Sequence, residues 1–451
     1  MTALDDSPDA VSTDAVPVDA PSAARLAEHG LRLELVDTAD RDDFTRWLRA
    51  DHRGFHVAEA GAEVIDASLT GLAYRRTTGV WDDSARDAAT PIATVNSWAA
   101  DLTVPGLHHV DAWAISSVTV APTHRRRGIA RALLEAELRT AAALRLPLAT
   151  LTVSESTIYS RFGFAPATFA AELTIDTRRA TWIGPDAPGR LHFVSLAELR
   201  AELPALHDRI RATGVGQLDG WGLRWDGFAG IVSDDADRTK NLRAVRYDDE
   251  SGALRGLALY RVTEDDSDFA AHKLSVEYLA SETDDAYAAL WRYLLEVDLV
   301  RTVTAQDRPV DEPLLWQVAD MRAVKRTAYD HVWTRLLDVP AALSARSYFS
   351  GSATATGNAE LDTVIEVTDD LGFAAGRFAV AIAGGAASVS STDAPADVSM
   401  RVNELSALYL GGVSAAALAA SGRISEREPG LAAALDPAFR TARAPWLSFW
   451  F

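Results

Sequence analysis

Residues 118–131 read Val-Thr-Val-Ala-Pro-Thr-His-Arg-Arg-Arg-Gly-Ile-Ala-Arg, and no other stretch limits the fold as tightly. Ile115, Val118 and Val120 supply the β-branched residues of a strand, and Pro122 ends it because proline has no N–H for the ladder. A helix begins near Gly128. Ile129, Leu133, Leu134, Leu138 and Ala141 recur at helical spacing, while Arg131, Glu135 and Arg139 turn toward water. Between strand and helix lies a short basic loop, which directs unpaired backbone N–H groups at whatever sits over the helix start. The helix dipole and the charges of Arg125, Arg126 and Arg127 add positive potential there. A pyrophosphate suits such a turn. A solvated helix start or a nucleic-acid patch would use the same arginines, whereas the glycine and lysine spacings of the P-loop and of the dinucleotide fingerprint are absent.

Residues 148–153, Leu-Ala-Thr-Leu-Thr-Val, form an almost unbroken apolar strand suited to burial on both faces. A strand, the loop helix and this second strand imply a right-handed crossover between parallel neighbours. Next comes Ser-Glu-Ser-Thr-Ile-Tyr-Ser-Arg-Phe-Gly-Phe-Ala-Pro over residues 154–166. Ile158 and Phe162 fit one face of a short helix, Gly163 its C-terminal cap and Phe164 the start of another strand. Tyr159 then stands one turn beyond a buried strand end, where ligands of open α/β sheets collect. A half-buried tyrosine with a satisfied hydroxyl is the plainer account of that residue alone.

Taken together, Val-Ala-Pro-Thr-His-Arg-Arg-Arg-Gly (residues 120–128), Ile-Tyr-x-Arg-Phe-Gly (158–163) and Pro-Ala-Thr (166–168) resemble the Eis-type (enhanced intracellular survival) acetyltransferases of actinobacteria, in the GNAT superfamily. The resemblance spans most of the chain. It implies an α/β (α+β) architecture: a disordered acidic tail at 1–25, a catalytic GNAT domain at 26–187, a second, degenerate GNAT-like domain at 188–339, and a sterol-carrier-like domain at 340–451. It also implies acetyl-CoA as co-substrate, a small-molecule amine as acceptor and assembly as a homohexamer.

Site residues follow from the same resemblance. The backbone of Val118, Thr119 and Val120 holds the pantetheine arm. The segment Arg125, Arg126, Arg127, Gly128, Ile129, Ala130 and Arg131 holds the pyrophosphate, and Ser154 and Glu155 make further cofactor contacts. Tyr159 is the general acid; a phenol near its ordinary value of about 10 is roughly matched to an alkyl thiolate. The chain stops at Pro-Trp-Leu-Ser-Phe-Trp-Phe, and the Phe451 carboxylate is the general base. An α-carboxyl ordinarily titrates near about 3.5, so burial among Trp446, Phe449 and Trp450 is expected to raise it. Phe44 and Phe55 form an aromatic wall for the acceptor. His56 and Val57 follow Phe55 where an acid is expected, Trp450 replaces an acidic residue beside the terminus, and Ser117 stands where a bulkier aromatic can occur. These departures bear on aminoglycoside acceptors more than on acetyl transfer itself.

Elsewhere the chain excludes more than it specifies. With no cysteine among 451 residues, disulfides, thiolate zinc sites and a cysteine nucleophile are ruled out. A net charge of −20 opposes nucleic-acid and anionic-membrane binding and is compatible with cationic substrates. No apolar run reaches the ~18 residues of a membrane span and no signal peptide is apparent, so the cytoplasm is the expected location. No metal site is expected, and His108-His109 reads as a loop. Helix 40–50 turns Phe44, Trp47 and Leu48 inward. The second domain shows strands at 243–247, 258–262 and 274–280 and a helix at 286–298, with no second phosphate loop; its tryptophans, among them Trp221, Trp225, Trp291, Trp316 and Trp333, read mostly as core. The third shows strands at 362–367, 376–382 and 386–391, with Gly384-Gly385 as a hairpin turn, then helices at 402–410, 414–421 and 429–435. Two other classes stay open: a lipid or sterol carrier with a vestigial acetyltransferase domain, and a non-catalytic scaffold.

Overall fold

The computed structural model describes residues 16–232, 239–348 and 360–451. Three sheets organise them. The first has seven strands in the order β1 (Leu31–Leu35), β2 (Arg76–Asp82), β3 (Ala93–Val104), β4 (His108–Val120), β5 (Leu148–Thr152), β14 (Val332–Leu336) and β6 (Ala165–Pro166). The second runs β13 (Val324–Asp330), β7 (Phe169–Asp176), β12 (Val300–Pro309), β11 (His272–Ser281), β10 (Leu254–Thr263), β9 (Leu242–Asp248) and β8 (Arg190–Val194). The third has five strands: β17 (Ala386–Ser391), β16 (Gly376–Ala383), β15 (Leu361–Thr368), β18 (Val398–Arg401) and β19 (Ile424–Glu426).

Seven helices bear on the site: α1 (Ala20–Ala27), α2 (Arg41–Gly54), α3 (Ala62–Gly71), α4 (Ile129–Ala143), α5 (Ser156–Tyr159), α6 (Leu196–Arg211) and α7 (Gly222–Phe228). As the crossover rule requires, β4 and β5 are parallel neighbours joined through α4. Asp40 caps α2 by accepting from the N–H groups of Asp42 and Asp43, and Ser195 closes a capping box with Glu198 on α6.

Several expectations are corrected. Part of the leader is folded: Asp19 caps α1, Arg139 pairs with Asp19 at 2.9 Å, the Ser22 hydroxyl donates to Ala132, and Leu26 is buried. Its acidic, proline-bearing composition conceals a helix that packs against α4 and β1; residues 1–15 lie outside the described residues. His108 and His109 open strand β4 rather than a loop, Thr103 and Arg211 meeting the His109 ring. Residues 429–435 form only a short 3-10 turn, Ala433–Leu435. Trp225, Trp291 and Trp333 are buried, but Trp316 is 77% exposed.

The boundary at 187/188 is not where the sheets divide. β7, from the first segment, sits inside the second sheet between β13 and β12. β14, from the second segment, completes the first sheet by pairing antiparallel with β5, Val332 opposite Thr152. The two units thus exchange strands.

The third unit braces the first. On β14, Arg335 lies fully buried, donates Nε to Phe162 O at 3.0 Å and grips Asp369 at 2.7 Å, the pair being 0% and 2% exposed. Burial pushes the Asp369 carboxyl up, but the guanidinium and the N–H groups of Ala374 and Leu371 outweigh it and hold it below its ordinary value. A depressed carboxylate stabilises the fold above its unfolded value of about 3.9 and loses that stabilisation as pH falls through the lower folded value. Asp369→Asn should therefore cost about 3–5 kcal/mol at neutral pH, because a buried guanidinium is left unbalanced. Denaturant unfolding at neutral and acid pH checks this: the gap between the two proteins should close in acid.

Candidate active site

The site lies where β4 and β5 part. They pair only from Ala112–Leu148 to Ala114–Thr150, although β4 runs on to Val120. Past Ala114 the two strands part, and among the described residues no strand pairs with that edge of β4 from Ile115 onward. Ser117 adopts φ +57°, inside a register shift between β3 and β4, and its carbonyl accepts from the Thr94 hydroxyl at 2.8 Å. Thr119 is buried, sharing a 2.6 Å hydrogen bond with Thr94, while Val118 and Val120 are half-buried. Gly54 at the end of α2 packs so tightly on Thr119 that a Cβ there would lie 2.4 Å from its side chain. The helix thereby roofs the strand.

At the far end of β4 the basic loop turns sharply. Arg126 has φ +64° and Gly128 φ +77°, and α4 begins with no side-chain cap. Its first N–H groups therefore face outward, with open space around Gly128. Arg125 and Arg126 are exposed and, among the described residues, form no ion pair with a carboxylate. Arg127 instead turns back, donating to His29 O at 3.1 Å and approaching Asp82 at 3.4 Å; Arg131 lies 4.0 Å from Glu135. Ile129 buries its side chain in the core, and Ala130 is half-buried beside it. Uncapped amides under unpaired cations form a donor set that fits a diphosphate.

The end of β5 carries the second half. Tyr159, 5% exposed, closes α5 and meets Phe164 edge-on at 6.4 Å. Burial raises its phenol above the ordinary value, a hydrogen bond with Ser154 opposes this, and the charge of Glu155 adds to the rise. The group is protonated at neutral pH and able to donate. Its turn is fixed from the third unit: Asn403 donates to Ser160 O and Phe164 O at 2.8 Å each. Gly163, at φ +88°, leaves no room for a Cβ against Val402 and Arg335. From the other side arrives the last residue. The Thr152 hydroxyl, at the tip of β5, donates to Phe451 O at 2.5 Å, and the Phe451 ring meets Trp98 at 5.6 Å.

Sequence reasoning missed what anchors this tail. Asp307, at φ +52° in an irregular part of β12, accepts Trp450 Nε1 at 2.9 Å and the Tyr329 hydroxyl at 2.7 Å on one carboxylate oxygen, and Trp446 Nε1 at 2.7 Å on its carbonyl. Trp450 also lies over His331, whose ring nitrogens have no partner and whose basicity burial drives down to about 4. Asp51 was missed too. Burial pushes its carboxyl up to about 6, opposed by nearby His52 and a hydrogen bond with Ser117, and one of its oxygens has no partner. Nothing in the local sequence marks either acid, since both depend on tertiary burial. Of the two aromatic wall residues, Phe55 is 46% exposed, but Phe44 is not in the wall. It is fully buried with Trp47, Leu48 and Ile65, because it shares their helical face.

Models of the acetyltransferase (GNAT) domain match residues 36–167 and 218–336, and a model of the sterol carrier protein domain matches residues 339–448. Fold and cleft together define an acetyltransferase of the GNAT type, a class that uses acetyl-CoA. A Streptomyces avermitilis protein described as an uncharacterized N-acetyltransferase is 35% identical over 423 residues, 91% of this chain and 96% of its own. N-acetyltransferase Eis of Mycobacterium tuberculosis is 38% identical over 348 residues, 75% of this chain and 80% of its own. The crystal structure of Eis1 from Mycobacterium abscessus superposes with a TM-score of 0.77 at 30% identity, covering 93% of this chain and all of that one. The chain belongs to the Eis-type N-acetyltransferases. Among the described residues no helix is long and apolar enough to cross a membrane, and no cluster of three or more His, Cys, Asp or Glu could hold a metal ion.

Proposed function

We propose that this enzyme transfers the acetyl group of acetyl-CoA directly to a primary amine, with Tyr159 as general acid and the Phe451 carboxylate as general base. One observation carries the reading: a single strand end, β5, bears both groups, Thr152 holding the terminal residue and Tyr159 lying one helical turn further on. Acetyl-CoA supplies an activated thioester. The carboxylate takes one proton from the acceptor ammonium and later releases it to solvent, and the freed amine forms the C–N bond as the C–S bond breaks. The Tyr159 hydroxyl gives its proton to the departing sulfur, and the second proton lost by the acylated nitrogen returns through water to the phenolate. No acyl-enzyme is required. Backbone groups of Val118, Thr119 and Val120 would hold the pantetheine arm. The α4 amides from Ile129 to Arg131, with Arg125 and Arg126, would hold the diphosphate, and Ser154 and Glu155 would make further cofactor contacts. Arg127 acts there through the loop, since its own fork is engaged with Asp82 and His29. Assembly as a homohexamer and a cytoplasmic location belong to the same reading.

The inner face of the third sheet supports the enzyme reading over a lipid carrier. Ile365, Val367, Phe378 and Val380 are packed in one core with Leu405, Leu408 and Phe439. The experiment that tests the function is release of CoA from acetyl-CoA dependent on added amine. Arg126→Glu should raise KM for acetyl-CoA about tenfold, the value of one charge-assisted hydrogen bond, with kcat little changed. Added salt should weaken the wild type toward the variant, because the arginine is exposed.

A further inference from the structure

Two guanidinium groups stand beside the terminal segment without an acid to balance them. Arg75 is 5% exposed and lies 3.5 Å from the ring centre of Trp98 and 4.5 Å from that of Trp221. Trp98 is the residue that meets Phe451. Arg75 donates Nε to the Tyr74 hydroxyl at 3.1 Å and Nη1 to Asn96 Oδ1 at 3.4 Å, while Nη2 is shielded from water and has no partner. Arg224, on α7, lies 5.0 Å over Trp221 and 5.9 Å over Phe449 and donates Nη2 to the Trp450 carbonyl; its Nε is likewise shielded and unpartnered.

No Asp or Glu side chain forms an ion pair with either arginine among the described residues. The acids whose charges reach them are already engaged. Asp219, facing Arg75, accepts the Asp101 N–H, and Asp307, facing Arg224, holds Trp450 and Tyr329. The two cations also repel one another, and burial drives Arg224 down to about 10. Burying like charges this way is unfavourable unless an anion joins them. An anion shared between the two would offset both, and a planar carboxylate matches the donor geometry of a guanidinium fork. The overall charge of −20 does not decide the matter, since exposed charges are screened beyond about 8 Å.

We propose that the acceptor amine also carries a carboxylate, which Arg75 Nη2 and Arg224 Nε bind beside Phe451, so that the substrates are amino-acid-like or peptide amines rather than polycations. The proposal rests on the amine-acetyltransferase reading above. It is tested with the full-length enzyme and saturating acetyl-CoA on three amines of one carbon skeleton: an amino acid, its carboxamide and the corresponding diamine. The acid should exceed the other two in kcat/KM by at least about tenfold, the value of a charge-assisted hydrogen bond. Arg75→Gln should narrow that gap by raising KM for the acid more than for the amide, and Arg75→Lys, which keeps the charge but not the fork, should restore it only in part. The wild-type series stands even if a variant fails to fold. Equal rates on all three, or a preference for the diamine, overturn the carboxylate assignment and leave acetyl transfer standing. Absence of transfer to any of them with acetyl-CoA bound overturns both.

Discussion

Tyr159→Phe should lower kcat by about 10²–10⁴-fold, the range expected when a positioned general acid is removed, and leave KM for acetyl-CoA within a few-fold of wild type. The substitution deletes one oxygen from a ring packed against Phe164, so the fold should hold; a thermal melt checks that separately. The pH profile adds a second test. Burial, with the charge of Glu155, raises the phenol and outweighs the Ser154 hydrogen bond. The alkaline fall in kcat should therefore come above the ordinary tyrosine value of about 10, and the variant should lack that fall. A variant with undiminished turnover would remove Tyr159 from the mechanism and leave the thiolate to protonate from solvent.

Extending the chain beyond Phe451 by a short neutral tail should depress turnover by a comparable factor, since an amide carbonyl replaces the carboxylate and accepts no proton at neutral pH. Acetyl-CoA binding should persist, because the proposed diphosphate donors lie on α4 and its loop rather than on the terminal segment. So should the melting temperature, because Asp307 grips the tail through Trp446 and Trp450 upstream of the last residue. A general base titrates on the acid limb of the wild-type pH profile, and the extended protein should lack that limb. Full activity in an extended protein would exclude the terminal carboxylate as base.

Much of the strand–loop–helix segment proposed to hold the cofactor was legible in the sequence. Pro122, the three arginines, Gly128 and the apolar run of 148–153 act through local rules of strand ending, helix start and crossover handedness, and those rules hold wherever the segment lies. The acceptor half was not legible in this way. Phe44 belongs to a helical face, and its neighbours Trp47 and Leu48 decide its burial more strongly than its aromatic character does. Arg75, Arg224, Asp51 and Asp307 look like ordinary surface charges in sequence, and only the tertiary fold removes their water. Strands β7 and β14 are equally content in either sheet by pattern alone, so no periodicity assigns them. The α1 helix shows the same limit from the other side, since its acidic leader composition masks a segment whose buried residues pack against α4 and β1.

That exchange of β7 and β14 bears on how the molecule can be divided or altered. A fragment ending at the first domain model, at residue 167, would lack the strand beside β5, and Thr152 would face solvent at a bare sheet edge. A fragment beginning at the second matched segment, at residue 218, would be missing an inner strand of its own sheet, leaving β12 and β13 without the neighbour that joins them. Neither half is self-sufficient. Gene splitting, domain grafting and recombination between relatives must carry the whole interlocked pair, and a lesion in the seemingly idle second unit reaches the catalytic cleft by way of a shared strand.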